Sequence, residues 1–134
     1  MEELNKLQES AEHKALLAVI RIECVEWTRY SKQVEKYLQS FEDGIHDDDK
    51  PARVAMLAGQ ICALLWFMNR CLEEAHKARQ ALYSACSPAA PERLEAQTLL
   101  RECKALRDAL EPRLLRLSLH HRTSIADEQQ GMNG

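Results

Sequence analysis

Glycine, aromatic residues and β-branched residues are all scarce in this chain of 134 residues. It has four glycines, seven aromatic residues and only 12 valines, isoleucines and threonines together. Because β-branched and aromatic residues are the ones enriched in strands, this shortage argues against a sheet-based fold. The composition also excludes collagen-like and low-complexity proteins, which are rich in glycine or proline.

Paired cysteines and long hydrophobic runs are absent as well. None of the five cysteines lies two or three positions from another, which excludes the usual zinc and redox spacings. Their odd number and the lack of a signal peptide favour a reducing cytoplasm. The longest apolar run, 61–68, has eight residues, whereas a membrane-spanning helix needs about 20. We therefore expect a cytoplasmic protein with free thiols and no membrane partner.

Strong helix formers make up half of the chain. Alanine, leucine, glutamate, arginine and lysine account for 69 of the 134 residues, a composition typical of long helices. Gly44, Pro51, Pro88 and Pro91 interrupt the helical periodicity, and each suits the end or the first turn of a helix. We predict helices over about 2–41, 51–86 and 92–121, in a single domain of residues 1–122 followed by a disordered tail over 123–134.

The second helix carries the clearest pattern in the sequence. Its apolar residues repeat at alternating intervals of three and four, which indicates a helical bundle. They are Val54, Leu57, Ile61, Leu64, Met68, Cys71, Ala75, Ala78, Leu82 and Ala85. The short connection before Pro91 predicts that the second and third helices are antiparallel. The expected fold class is all-α, with three long antiparallel helices forming a bundle.

The same helix is apolar on every side over residues 61–68, and a helix of this kind must be covered all round. Two neighbouring helices would leave one face, including Trp66 or Phe67, in water. Such a patch marks an interface, so the bundle is expected to be completed by dimerisation. The alternative is that the first helix bends and wraps the second completely. The candidate interface residues are Trp27, Tyr30, Cys62, Leu65, Trp66 and Phe67, since tryptophan and tyrosine often anchor interfaces.

Residue patterns that could support catalysis or metal binding are incomplete. Glu73 and His76 have the spacing of one half of a di-iron site, but no second pair of this kind occurs. The acidic stretch that follows His46 lacks the spacing of a calcium-binding loop, and it is interpreted as a solvated turn. Cys86, at the end of a helix, is expected to be the most exposed thiol, in a position that does not activate it. We therefore predict no enzymatic activity, no catalytic residues, no metal and no cofactor.

These observations lead to a non-enzymatic helical protein–protein interaction module as the expected function. It would be a regulator of the antagonist, antiactivator, adaptor or chaperone type that masks an apolar surface of another protein, such as a transcription regulator or a secreted client. The alternative is a nucleic-acid-binding regulator that uses the basic third helix. The net charge of −3 disfavours this alternative. The basic residues in question are Arg93, Arg101, Lys104, Arg107, Arg113, Arg116 and Arg122.

Overall fold

The computed structural model describes residues 2–44 and 51–133, with side chains up to residue 123, and within them it contains three α-helices and no strand. Helix α1 spans Glu2–Gly44, α2 spans Pro51–Ala85 and α3 spans Pro91–Asn133. The all-α class and the three long helices predicted from the sequence are thereby confirmed. The acidic stretch after His46 lies outside the described residues.

Helix α3 is longer than predicted. It continues through residues 123–133, where the sequence analysis expects a disordered tail. Between residue 123 and its last residue, Asn133, the chain has one glycine and no proline, so nothing there forces a helix to stop. Pro112 also lies inside α3, which continues past it.

Helices α1 and α2 run antiparallel. The Arg53 guanidinium, near the start of α2, donates a 2.9 Å hydrogen bond to the Ser40 carbonyl oxygen near the end of α1. Earlier in α1, the Tyr30 ring stacks on Phe67, which lies further along α2. Residues near the end of α1 therefore contact the start of α2, and residues earlier in α1 contact positions further along α2.

Helices α1 and α3 run parallel. Arg21 of α1 forms an ion pair with Glu95 near the start of α3. Further along both helices, the Arg113 Nε–H donates to both carboxylate oxygens of Glu42 at 3.0 Å. Helix α1 packs most extensively on α2, and the contact between α2 and α3 is the smallest of the three.

The core consists of one buried stripe on each helix. On α1 and α2, buried residues recur at intervals of three and four, with one seven-residue step in α2. They are Leu17, Ile20, Cys24, Trp27, Ser31, Val34, Leu38 and Phe41 on α1, and Val54, Leu57, Ile61, Met68, Cys71, Ala75, Ala78 and Leu82 on α2. The stripe predicted for α2 is therefore the core stripe, with Leu64 half-buried and Ala85 exposed at its end.

Helix α3 is the most peripheral of the three. Its buried side chains up to residue 123 are Ala96, Cys103, Leu110 and Leu117, one in every seven residues. Leu106, which shares the predicted apolar spacing of this helix, is 44% exposed. The bundle thus leaves open the region where α2 and α3 face each other.

Candidate interaction surface

Helix α2 leaves much of its apolar surface outside the core. Its most apolar 18-residue stretch has a mean hydropathy of 1.4, and only 22% of it is buried. Met56, Trp66 and Phe67 are 56%, 58% and 44% exposed. The expectation that the neighbouring helices leave Trp66 or Phe67 in water is confirmed. The alternative, in which α1 wraps α2 completely, is wrong.

Three aromatic rings form a continuous cluster on this surface. The Tyr30 and Phe67 rings are stacked, with centroids 5.5 Å apart and planes 18° apart. The Trp66 ring meets Phe67 edge-on at 5.1 Å and 86°. Both geometries are favourable for aromatic pairs, so the rings hold one another in place although two of them are exposed. We call Tyr30, Trp66 and Phe67 the aromatic cluster.

Arginine guanidinium groups lie at both ends of the aromatic cluster. The Arg29 guanidinium carbon is 5.4 Å from the Tyr30 ring centroid, and that of Arg70 is 5.9 Å from the Trp66 centroid. Arg29 is also ion-paired with Glu26. Between the two arginines α2 contributes no charge, because it has no charged residue from 56 to 69.

Small residues lie beside the aromatic cluster along α2. Met56, Gly59, Ala63 and Trp66 follow one another at intervals of three, four and three, and all of them are exposed, as is Cys62. A Cβ atom added to Gly59 would meet no atom within 4 Å. We call these five residues the outer face of α2. Its spacing is that of a second stripe, on the side of the helix away from the core.

The six predicted interface residues do not lie together. Cys62 and Trp66 are exposed one helical turn apart, and Tyr30 and Phe67 join them through ring contacts. Trp27 lies instead in the core, with 1% of its surface exposed, so the monomer does not offer it to a partner.

Leu65 is also separated from the exposed group. It is half-buried and lines a cavity of about 220 Å³ beneath the junction of α2 and α3, together with Trp27 and Leu114. Sequence spacing could not separate Trp27 from Tyr30, because both lie on the apolar half of α1.

The cysteine environments differ from the expectation in one respect. Cys62, not Cys86, is the most exposed thiol, because Cys86 is half-buried at the end of α2. The other three cysteines are buried. A hydrogen bond to Cys103, together with burial, raises the pKa of the Cys24 thiol. Burial, with a smaller contribution from Glu23, raises the pKa of Cys71 to about 11, so neither thiol ionises near neutral pH.

Metal ligands are not grouped among the described residues, where no cluster of three histidine, cysteine or acidic side chains occurs. Glu73 and His76 are both exposed, with no further ligand joined to them.

The basic residues of α3 do not form one continuous surface. Arg113 forms ion pairs with Glu42 and Glu35 of α1, and Arg107 forms an ion pair with Glu111 of its own helix. Arg101 and Lys104 instead face a groove shared with α2. The seven cations considered for nucleic-acid binding thus point in several directions.

By length and composition, α2 could cross a membrane, and it is the one helix among the described residues that meets this test. The expectation of no membrane partner rested on the longest uninterrupted apolar run, which is shorter than this stretch. A single helix of this kind does not by itself indicate a membrane protein. A lipid membrane is the other apolar environment that would cover the outer face.

Comparison with known proteins found no matching family model, no similar curated protein and no similar solved structure.

Proposed function

We propose that this protein is a non-enzymatic interaction module that forms a homodimer through the outer face of α2 and the aromatic cluster. The observation that carries the proposal is the exposure of Trp66 and Phe67, 58% and 44%, in the most apolar part of the molecule. Removing a large apolar side chain of this kind from water stabilises a complex by roughly 1.5–3 kcal/mol when burial is complete.

Three features favour a second copy of this chain as the partner that covers the outer face of α2. The face has no charge from 56 to 69, so two copies bring no like charges together there. Gly59 and Ala63 allow a second helix to approach closely, and nothing in the monomer fills the space next to Gly59. A single stripe is also self-complementary when two antiparallel helices are related by a twofold axis.

The size of this face suggests a reversible dimer. The stretch from Met56 to Arg70 is about 21 Å long at 1.5 Å per residue. A contact between two such stretches falls at the lower end of the interface range, where association is transient. A regulator of the antagonist or chaperone type would work by exchanging its second copy for an apolar helix of another protein.

Substitutions on the outer face and in the aromatic cluster are expected to weaken self-association without unfolding the monomer. Trp66→Ala and Phe67→Asp should each raise the dimer dissociation constant at least tenfold, which corresponds to about 1.4 kcal/mol. Sedimentation equilibrium measures the constant, and far-ultraviolet circular dichroism measures the helix content, which should not change. Leu115→Ala is the matched control, because Leu115 is 59% exposed on α3.

A second measurement uses the exposed thiol. Maleimide labelling of Cys62 should slow as the protein concentration passes the dissociation constant, and Cys62→Ser should remove this signal. If both Trp66→Ala and Phe67→Asp assemble like the wild type, the interface lies elsewhere. If the protein stays monomeric and floats with lipid vesicles through the same residues, the occupant is a membrane and the proposal is wrong.

A further inference from the structure

A groove of about 700 Å³ separates α2 from α3 on the side away from the aromatic cluster. Leu72, His76, Arg79 and Tyr83 of α2 line one wall, and residues 97–111 of α3 line the other. The groove follows from the small contact between these two helices. Its α2 wall, from Leu72 to Tyr83, is about 16 Å long, or three helical turns.

The groove carries cations that the rest of the molecule does not neutralise. Arg79, Arg101 and Lys104 line it, and none of them has a carboxylate within ion-pair distance among the side chains of residues 2–44 and 51–123. The fourth cation in the lining, Arg107, does form an ion pair: its Nε lies 3.4 Å from a carboxylate oxygen of Glu111. The lining also contains Asp108 and Glu111, so its four cations leave an excess of two positive charges in the groove.

The floor of the groove is apolar. Leu72 and Leu100 are half-buried there, between the two rows of charged side chains. The smaller cavity lined by Trp27 and Leu65 also shares Leu72, so the apolar floor continues toward the middle of the bundle. A ligand that fits must therefore combine negative charge with an apolar side chain.

We propose that this groove binds an acidic amphipathic segment of another protein. Its carboxylates would pair with Arg79, Arg101 and Lys104, and an apolar side chain would cover Leu72 and Leu100. A bundle with one open junction accepts such a segment as a fourth helix. This second site is independent of self-association at the outer face.

Nucleic acid fits the groove less well. Tyr83 is the aromatic ring in it, and the guanidinium carbons of Arg93 and Arg79 lie 4.2 and 5.8 Å from its centroid, where a base would stack. Asp108 and Glu111 also lie in the lining and repel anions of either kind, so they do not distinguish a phosphate backbone from an acidic segment. Partial burial and the nearby Arg79 lower the pKa of His76, which disfavours the charged form of this imidazole.

Fluorescence anisotropy with defined probes tests the proposal. The probe is a labelled helical peptide of about 12 residues with glutamate and leucine on opposite faces. Reference probes carry lysine in place of glutamate, or alanine in place of leucine, and a labelled oligo-dT strand represents nucleic acid. We expect the glutamate–leucine peptide to bind most tightly, and to bind more weakly in about 0.3 M than in about 0.05 M salt.

The double variant Arg101→Glu/Lys104→Glu should weaken binding of the glutamate–leucine peptide at least tenfold. Both residues are exposed, so the fold should tolerate the change, and circular dichroism checks this. Arg122→Glu, which reverses one charge on exposed α3 surface outside the groove lining, should change binding less than twofold.

Three results would overturn the inference. They are unchanged peptide binding by the double variant, tighter binding of oligo-dT than of the peptide, and loss of peptide binding in Trp66→Ala. The last would place the peptide on the outer face. Conversely, a monomeric protein that still binds the peptide would overturn the proposed dimer and leave the groove proposal intact.

Discussion

Trp27→Ala is expected to destabilise the monomer by about 3–5 kcal/mol, the range found when a large aromatic side chain is removed from a core. Trp27 is 1% exposed and lies between α1 and the junction of α2 and α3. Bundles of this size are stable by only about 5–15 kcal/mol, so the variant should be close to unfolding. Urea denaturation followed by circular dichroism measures the loss.

Trp66→Ala is the matched control for this experiment, because it removes the same side chain from a site that is 58% exposed. At concentrations below the dimer constant it should cost about 0.5–1.5 kcal/mol, the contribution of the aromatic pair that Trp66 forms with Phe67. The chain has two tryptophans, so each variant leaves one indole whose fluorescence reports its surroundings. Equal losses for the two variants would show that Trp66 is also needed for the monomer.

Arg113→Met should produce the second-largest effect, a loss of about 2–3 kcal/mol at neutral pH. The change keeps the aliphatic stem and removes the guanidinium that ties α3 to Glu42 of α1. Both side chains are about one-quarter exposed, and hydrogen bonds to charged groups contribute about 1.5–3 kcal/mol. Glu35→Gln is the control, because Glu35 is 62% exposed and lies 3.6 Å from the same arginine. This exposed pair should contribute less than about 1 kcal/mol.

The difference in stability between wild type and Arg113→Met should decrease as the pH falls. The hydrogen bond from Arg113 lowers the pKa of Glu42 below its ordinary value near 4.5. A carboxylate whose folded-state pKa is lowered stabilises the fold above its unfolded-state pKa, and this stabilisation disappears as the pH falls through the folded-state value. Wild type and Arg113→Met should therefore converge in stability as the pH falls below 4.5 and through the folded-state pKa of Glu42. A difference that stays constant would mean that Arg113 acts through packing alone.

The sequence was sufficient to predict three helices and the start of α2, because proline, glycine and apolar periodicity act locally, but it ended α3 about 12 residues too early. Pro51 and Pro91 begin α2 and α3, and the heptad stripe of α2 is the core stripe. The core stripe of α1 was harder to predict, since it includes Ser31, whose hydroxyl donates to the Thr28 carbonyl oxygen at 2.7 Å. Because this hydrogen bond within α1 lets a polar side chain be buried, hydropathy alone does not identify Ser31 as a core residue.

The two candidate sites differ in how far sequence could predict them. Excess apolar residues in α2 predicted an uncovered face, but spacing alone could not place Trp27 inside and Trp66 outside. The groove was beyond sequence analysis, because Arg79 and Arg101 lie 22 positions apart and meet only when α2 and α3 pack antiparallel. Their basic character was visible, whereas the absence of an ion pair to either arginine among the described side chains required coordinates.

The first turns of α1 extend beyond the bundle. Residues 2–9 are all exposed, Leu4 and Leu7 are 67% and 69% exposed, and the first buried side chain of α1 is Leu17. A helical segment of about 12 residues is marginal in water without packing. Backbone amides before Leu17 should therefore exchange with deuterated solvent far sooner than those after it. The position of that boundary would show how far along α1 the bundle, or a molecule bound to it, protects the chain.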